Sequence, residues 1–204
     1  MYRGAAGIFT MSGFVKASLV SDYGVDPGRI HVVGAGPNVE PGPGDLGAPR
    51  EKAILFVGRK FVAKGGPALL EAFRELHRAH PDARLWIVSQ PFPGPLPDGA
   101  VQHGLLGREA LARLYARAAV FALPTLREAF GLVLVEAMAF GLPVVASRVE
   151  AIPEIVSHGE TGLLVPPADP AALARALGEI LSDPVRARLL GAAGRARAAE
   201  RFGW

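Results

Sequence analysis

Short apolar runs alternate with helical patterns along most of the chain. The apolar runs predict strands at residues 53–57, 84–88, 119–123, 142–146 and 162–165, with a further short strand ahead of Gln102. Apolar positions at helical spacing predict helices at 66–80, 108–117, 132–140, 153–156, 170–181 and 184–200. Strands that are apolar throughout and alternate with helices indicate a parallel sheet with both faces covered. We therefore predict an α/β fold in which helices flank a parallel sheet on both sides.

The first part of the chain has a smaller pattern of its own. It predicts a strand at 8–10, a helix at 14–23 and a strand at 30–33. The stretch from 34 to 50 is rich in glycine and proline and has no apolar periodicity, which is typical of a linker. We divide the chain into a small unit at 1–38, a linker at 39–51 and a main domain at 52–204.

Two carboxylates flank the start of the predicted helix at 132–140. Glu128 lies in the loop before it, and Glu136 lies inside it, with seven residues between the two. The helix is apolar on nearly every face, which indicates burial, and a buried glutamate needs a partner. A helix start also attracts anions through its free N–H groups and its dipole. The pair is therefore suited to hold hydroxyl groups beside a phosphate. The structural alternatives are a buried ion pair between Glu136 and an arginine, and a solvated loop charge at Glu128.

Two cations flank the loop after the strand at 53–57. Arg59 and Lys64 lie on either side of this loop, and Gly65 and Gly66 open the helix that follows. An arginine can bridge two oxygens, a lysine acts as a point charge, and helix N–H groups bind anions, so the loop suits a diphosphate. The structural alternative is a pair of solvated surface cations.

Composition narrows the possible chemistry. The chain has no cysteine and five scattered histidines, so neither a thiolate site nor another metal centre is expected. A net charge of +3 suits nucleotides, phosphates and an anionic membrane surface. No basic run with interleaved aromatic residues supports nucleic-acid binding, and neither a signal peptide nor a membrane-spanning apolar segment is expected. A cytoplasmic location is expected, and the basic charge is compatible with peripheral association at the inner face of the membrane.

The longest motif spans residues 124–146. It reads Pro-Thr-Leu-Arg-Glu-Ala-Phe-Gly, then four residues, then Glu-Ala-Met-Ala, and ends in Gly-Leu-Pro-Val-Val-Ala. It resembles the Glu-x7-Glu motif of the retaining glycosyltransferases of family 4, which have the two-domain GT-B architecture. The loop at 57–66 resembles the Gly-Arg…Lys-Gly element of the same family. The resemblance covers nearly the whole chain. It implies that 52–204 is the Rossmann-like, C-terminal donor-binding domain and that 1–38 is a remnant of the N-terminal, acceptor-binding domain.

The resemblance also implies roles for individual residues. Arg59 and Lys64 would hold the donor diphosphate and stabilise its departure, and Glu128 would bind hydroxyls of the donor sugar; these three are the predicted catalytic residues. Glu136 would bind the ribose. The remaining substrate contacts would come from Phe130, Gly131 and Leu132, mainly through backbone N–H groups.

A further loop and one departure complete the comparison with the family pattern. The loop after the short strand ahead of Gln102, with His103, Gly104 and Leu105, is expected to line the pocket for the nucleotide base. His103 is not expected to act as a base, because no carboxylate is placed in sequence to orient it. Near Glu154, the family element Gly-x-Pro-Glu-Ile-Val is present with Glu150-Ala151 in place of the commoner Gly-Gly, and we interpret Glu154 as a helix-start and packing residue.

The implied activity is the donor side of a hexosyltransferase-type reaction. A sugar would pass from a nucleotide-diphosphate sugar to an unknown acceptor with retention at the anomeric carbon, without a cofactor or metal. Most of the acceptor domain is missing from this chain, so we expect the isolated fragment to be inactive in transfer. The alternatives are a non-catalytic nucleotide-binding fragment and a GT-B nucleotide-sugar epimerase.

Overall fold

Two parallel sheets of unequal size organise the chain. The structure, a computed structural model, describes residues 2–46 and 50–203. Met1, residues 47–49 of the predicted linker and Trp204 lie outside the described residues. Strands β1 (Ile8–Thr10) and β2 (Ile30–Val32) form the small sheet, and six further strands form the large one.

The small sheet joins helix α1 (Gly13–Ser21) in the predicted strand–helix–strand unit. The side chain of Ser12, just before α1, accepts a hydrogen bond from the N–H of Val15. Such a cap fixes where a helix starts, so α1 begins one residue before the predicted start at 14 and ends at Ser21 rather than 23. A small apolar cluster closes the unit; its buried members are Leu19, Val25 and Ile30.

The large sheet has the order β5-β4-β3-β6-β7-β8, and every neighbouring pair is parallel. Its strands are β3 (Ala53–Val57), β4 (Arg84–Val88), β5 (Ala100–Gly104), β6 (Val120–Leu123), β7 (Val144–Ser147) and β8 (Gly162–Val165). The helices around it are α2 (Gly66–Ala79), α3 (Arg108–Arg117), α4 (Leu132–Ala139), α5 (Ile152–Ile155), α6 (Pro170–Ser182) and α7 (Pro184–Arg201).

The strand order reverses direction between β3 and β6. The chain builds β3, β4 and β5 outward on one side, then returns to place β6 against the other edge of β3. In an open parallel sheet, ligands bind in the crevice outside the carboxyl ends of the strands at such a reversal. The loops after β3 and β6 therefore lie at the position where a ligand site is expected.

The core follows from the apolar character of the strands. Every residue of β3, β6, β7 and β8 is buried, which requires cover on both faces of the sheet. Helix α2 packs against α6, and α4 packs against α7. The predicted α/β fold, with a parallel sheet between helices, is confirmed.

The start of β7 was predicted too early. Residues 141 and 142 still complete the end of α4, because the N–H of Gly141 donates to the carbonyl of Met138 and the N–H of Leu142 donates to that of Ala137. Gly141 has φ +66°, the left-handed conformation that commonly ends a helix. The strand therefore begins at Val144 rather than at residue 142.

Arg50 ties the end of the linker to the main domain. Its guanidinium donates hydrogen bonds to the carbonyls of Ala118, at 2.9 Å, and Phe140, at 2.8 Å. These carbonyls lie just past the ends of α3 and α4, where helices leave acceptors unpaired and where a positive charge is favoured. Burial lowers the pKa of Arg50 from its ordinary value.

Candidate functional site

Two glycine-containing loops meet at the reversal point of the sheet. Gly65 precedes α2 and Gly131 precedes α4, with φ +78° and +104° respectively. A Cβ atom at position 65 would lie 1.8 Å from the carbonyl oxygen of Pro124. Only glycine therefore allows the loop after β3 to approach the loop after β6 this closely. The close approach also brings the starts of α2 and α4 to the same crevice. The N–H groups of Gly65 and Gly66, expected to bind an anion, instead donate to the carbonyls of Val62, at 3.1 Å, and Phe61, at 2.9 Å, and Pro67 has no N–H.

The contact between these loops pairs two of the predicted site residues. The Nζ of Lys64 lies 2.6 Å from the Oε2 of Glu128, although 64 residues separate them in sequence. The side chains are 31% and 14% exposed, so neither is a freely solvated surface charge. Arg59 lies in the same loop as Lys64, with its side chain exposed. The ion pair of Lys64 and Glu128 thus lies between the two crevice loops, and the loop after β3 also carries the exposed Arg59.

The start of α4 forms the floor beside Glu128. Phe130 and Gly131 are buried and Leu132 is half-buried, so their backbones are held in place by the core. N–H groups in the first turn of an α-helix have no partner within the helix. They are therefore available to an anion that enters next to Glu128.

Glu136 lies one helical turn deeper and is only 4% exposed. Its Oε2 accepts a hydrogen bond from the hydroxyl of Tyr115 at 3.0 Å, and its Oε1 accepts one from the N–H of Asn38 at 3.2 Å. Within residues 2–46 and 50–203, no ion pair joins Glu136 to an arginine, so that alternative is wrong for the described chain. A carboxylate has about four lone-pair positions, so these donors leave it with acceptor capacity.

Burial dominates the electrostatics of Glu136. It raises the pKa of this carboxyl above its ordinary value, while the hydrogen bonds from Tyr115 and from the N–H groups of Asn38 and Val39, and the charge of Arg108, act in the opposite direction. The pKa of Tyr115 is raised well above its ordinary value, first by burial and then by the neighbouring carboxylate. The phenol therefore stays protonated and remains a donor to Glu136.

Tyr115 was missed by the sequence reasoning. It lies on the inward face of α3 and is fully buried. A buried tyrosine usually finds a hydrogen-bond partner for its hydroxyl, so a tyrosine on an otherwise apolar helix face was the available signal. The sequence did not indicate which acceptor it would meet.

The predicted base loop is shorter than expected. Strand β5 runs to Gly104, so His103 and Gly104 belong to the end of a strand and only Leu105 lies in the loop. The strand extends this far because its pairing with β4 shifts register between Ile87 and Val88, which lets Gly104 pair with Val88. Burial lowers the pKa of His103, whose ring meets the Trp86 ring edge to face at 6.4 Å. These residues lie two strands away from β3, on the order of 10 Å across the sheet.

Helix α1 reaches the same region from the small unit. The carboxylate of Glu154 accepts hydrogen bonds from the N–H groups of Gly13, at 2.8 Å, and Phe14, at 2.7 Å. The hydroxyl of Ser12 donates to the carbonyl of Ala129 at 2.6 Å. Glu154 does lie in the first turn of its own helix, as predicted, but its side chain caps the start of α1. The crevice loop therefore contacts both parts of the chain.

Neither a metal cluster nor a membrane span is found in the described part of the chain. Across residues 2–46 and 50–203, no three histidine or carboxylate side chains are grouped so as to hold a metal ion. No helix within these ranges combines the length and apolar composition needed to cross a bilayer.

The sequence profile of the family described as "Glycosyl transferases group 1" matches residues 51–183. The chain belongs to this family. It is 36% identical over 208 residues to an MMP alpha-(1->4)-mannosyltransferase of Mycolicibacterium hassiacum, covering 97% of this chain and 50% of that protein. It is 37% identical over 231 residues to a D-inositol 3-phosphate glycosyltransferase of Streptomyces scabiei, covering 99% and 52%.

Solved structures agree with this family membership. A sucrose-phosphate synthase of Thermosynechococcus elongatus superposes with a TM-score of 0.81 at 33% identity, over 98% of this chain and 55% of that one. The chain spans about half the length of the curated relatives it matches.

Proposed function

We propose that this chain supplies the donor-binding half of a retaining glycosyltransferase that uses a nucleotide-diphosphate sugar. The observation that carries the proposal is the convergence of Lys64 and Glu128, at 2.6 Å, beside the start of α4. A cation suited to phosphate and a carboxylate suited to hydroxyls are thus adjacent, as a diphosphate and a sugar are adjacent in such a donor. Family membership supports the same class of reaction.

The bond between the anomeric carbon and the diphosphate oxygen would break with its electrons moving to the diphosphate. Arg59 and Lys64, with the N–H groups near Gly131, would stabilise the negative charge that grows there. Glu128 would exchange its bond to Lys64 for hydroxyls of the sugar, and Glu136 would hold the ribose. The attacking acceptor hydroxyl would transfer its proton to the departing diphosphate. None of these steps uses a metal or a cofactor.

Binding without transfer is the expected behaviour of the chain by itself. Positioning of the second reactant can account for about 7–11 kcal/mol of barrier reduction, and the acceptor contacts implied for this family lie in the domain of which 1–38 would be a remnant. A cytoplasmic location and a peripheral contact with the inner face of the membrane stay predictions.

Calorimetry with a panel of nucleoside diphosphates and nucleotide sugars, in EDTA, tests the proposal. We expect weak binding that survives EDTA, and negligible transfer in a radiolabelled assay. Arg59→Ala should weaken binding of the nucleoside diphosphate far more than binding of the nucleoside. Glu128→Ala should weaken binding of the nucleotide sugar and leave binding of the nucleoside diphosphate nearly unchanged. Lys60→Ala, which removes the exposed cation next to Arg59, is the matched control.

Two results would count against the proposal. Binding that requires a divalent metal would reject the site made of cations and a helix start. Equal loss of both ligands on Glu128→Ala would reject the assignment of Glu128 to the sugar.

A further inference from the structure

Glu150 adopts a backbone conformation that is unusual for its residue type. It follows β7 with φ +46°, in the left-handed region that glycine enters readily and other residues seldom do. The commoner residue at this place in the family element is glycine, which would adopt the same conformation with less strain. What a glutamate adds at this position must therefore come from the contacts of its side chain.

The carboxylate of Glu150 makes two hydrogen bonds to the crevice loop. Its Oε2 accepts one from the backbone N–H of Glu128 at 2.5 Å, and its Oε1 accepts one from the Nε of Arg127 at 3.0 Å. The next residue, Ala151, donates its N–H to the carbonyl of Glu128 at 3.3 Å. Both backbone polar groups of Glu128 are thus held by residues 150 and 151.

The two hydrogen bonds of the Glu150 carboxylate differ in strength. The Arg127 side chain is 85% exposed and that of Glu150 is 18% exposed, so the ion pair is screened by water and contributes little. The bond to the backbone N–H of Glu128 has a charged acceptor and a partly buried donor, which is the stronger class of hydrogen bond.

We propose that Glu150 is a positioning residue for Glu128, and this inference rests on the proposed function of Glu128 as the sugar-binding carboxylate. Lys64 holds the side chain of Glu128, while Glu150 and Ala151 hold its backbone. A donor sugar could replace Lys64 as the partner of the Glu128 side chain. The contacts of Glu150 and Ala151 with the backbone of Glu128, here called the backbone clasp, would then stay intact. Glu128 can therefore change partners without displacement of the loop that carries it.

Four variants separate the two contacts of Glu150. Glu150→Gly removes both hydrogen bonds and keeps the backbone conformation. Glu150→Gln keeps an acceptor for the N–H of Glu128 but loses the charge, and Arg127→Ala removes only the ion pair. Glu150→Asn is a second loss variant, because asparagine tolerates the left-handed region and its side chain is too short to reach Glu128.

Affinity for a nucleotide sugar and for the matching nucleoside diphosphate is measured by calorimetry. We expect Glu150→Gly and Glu150→Asn to lose affinity for the nucleotide sugar on the order of tenfold, and for the nucleoside diphosphate no more than about twofold, because only the sugar contact depends on the placement of Glu128. Arg127→Ala should stay within about threefold of the parent for both ligands. Glu150→Gln, which keeps an acceptor without the charge, should lose less nucleotide-sugar affinity than the two loss variants.

Amide hydrogen exchange at Glu128, measured by NMR on the unliganded chain, tests the clasp without a ligand. Exchange should speed up in Glu150→Gly and Glu150→Asn and stay close to the parent in Arg127→Ala. Unchanged exchange in both loss variants would overturn the inference, whatever the chain binds. Unchanged nucleotide-sugar affinity, or equal loss of both ligands in a folded loss variant, would overturn it as well. If the parent chain binds no nucleotide sugar while the loss variants still exchange faster than the parent at Glu128, only the proposed function is rejected.

Discussion

Two glutamates eight positions apart are held in opposite ways. Glu128 lies in a loop and forms an ion pair with Lys64, whose ammonium can move to another acceptor. Glu136 is buried in α4 and accepts from neutral donors, among them the phenol of Tyr115 and the backbone N–H of Asn38. The charge of Glu128 is balanced by the ammonium group of a flexible lysine side chain, whereas the charge of Glu136 is balanced by hydrogen-bond donors that are fixed in the fold.

Glu128 is therefore able to change its partner, whereas Glu136 is held in one position. The pair of Lys64 and Glu128 is partly buried, and its single short contact can be exchanged for contacts with a ligand. A buried carboxylate held by neutral donors keeps part of its desolvation penalty, as the raised pKa of Glu136 indicates. Glu136 is therefore poised to gain from additional donors, such as a pair of hydroxyl groups, that reach its remaining lone pairs.

The largest effect is expected from Glu136→Gln. Nucleoside diphosphate binding should weaken by about 1.5–3 kcal/mol, the range for hydrogen bonds to a charged group. Calorimetry of the variant against the parent measures this, with Glu71→Gln, an exposed position on α2, as the control. Equal affinity of variant and parent would show that Glu136 serves the fold and not the ribose.

The same substitution should not destabilise the protein near neutral pH. Because the pKa of Glu136 is raised in the fold, its contribution to stability is greatest below the unfolded pKa and falls as the pH rises through the folded pKa. Glutamine carries no charge and escapes this loss. Thermal scans should show a Tm at or above that of the parent at neutral pH, with the advantage shrinking in acid. A lower Tm at neutral pH would contradict this expectation.

An intermediate effect is expected from Tyr115→Phe. Loss of one hydrogen bond to the buried carboxylate should lower the free energy of unfolding by about 1–2 kcal/mol. Because that bond lowers the pKa of Glu136, its removal should raise the pKa further, so nucleotide binding should begin to fail at a higher pH on the acid side. Calorimetry across the acid range measures the shift, and an unchanged profile would mean that Tyr115 does not act on Glu136.

The smallest effect is expected on stability when the ion pair is broken. Lys64→Gln and Glu128→Gln should each change the free energy of unfolding by less than about 1 kcal/mol, and added salt should reduce even that difference. Denaturant unfolding at low and high salt provides the measurement. A loss as large as that of Tyr115→Phe would mean that Glu128 is a structural residue and would remove the contrast between the two glutamates.

The placement of strands and helices was largely available from the sequence. Continuous apolar runs such as Ala53–Val57 and amphipathic runs such as Gly66–Ala79 were recognised because burial on one or two faces leaves a local periodic record. Errors occurred at boundaries where backbone hydrogen bonds decide the end of an element, as at the start of β7. Glu136 was recognisable for the complementary reason, since a charge within an apolar helix breaks the pattern.

The partners of these residues were decided only by the tertiary structure. Tyr115 meets Glu136 across 21 positions, Lys64 meets Glu128 across 64, and Glu154 caps α1 across about 140. Periodicity reports which face of an element is buried, but it carries no information on which element covers that face. Strand order, helix packing and the close approach permitted by Gly65 set those distances, and through them the environment of each carboxylate.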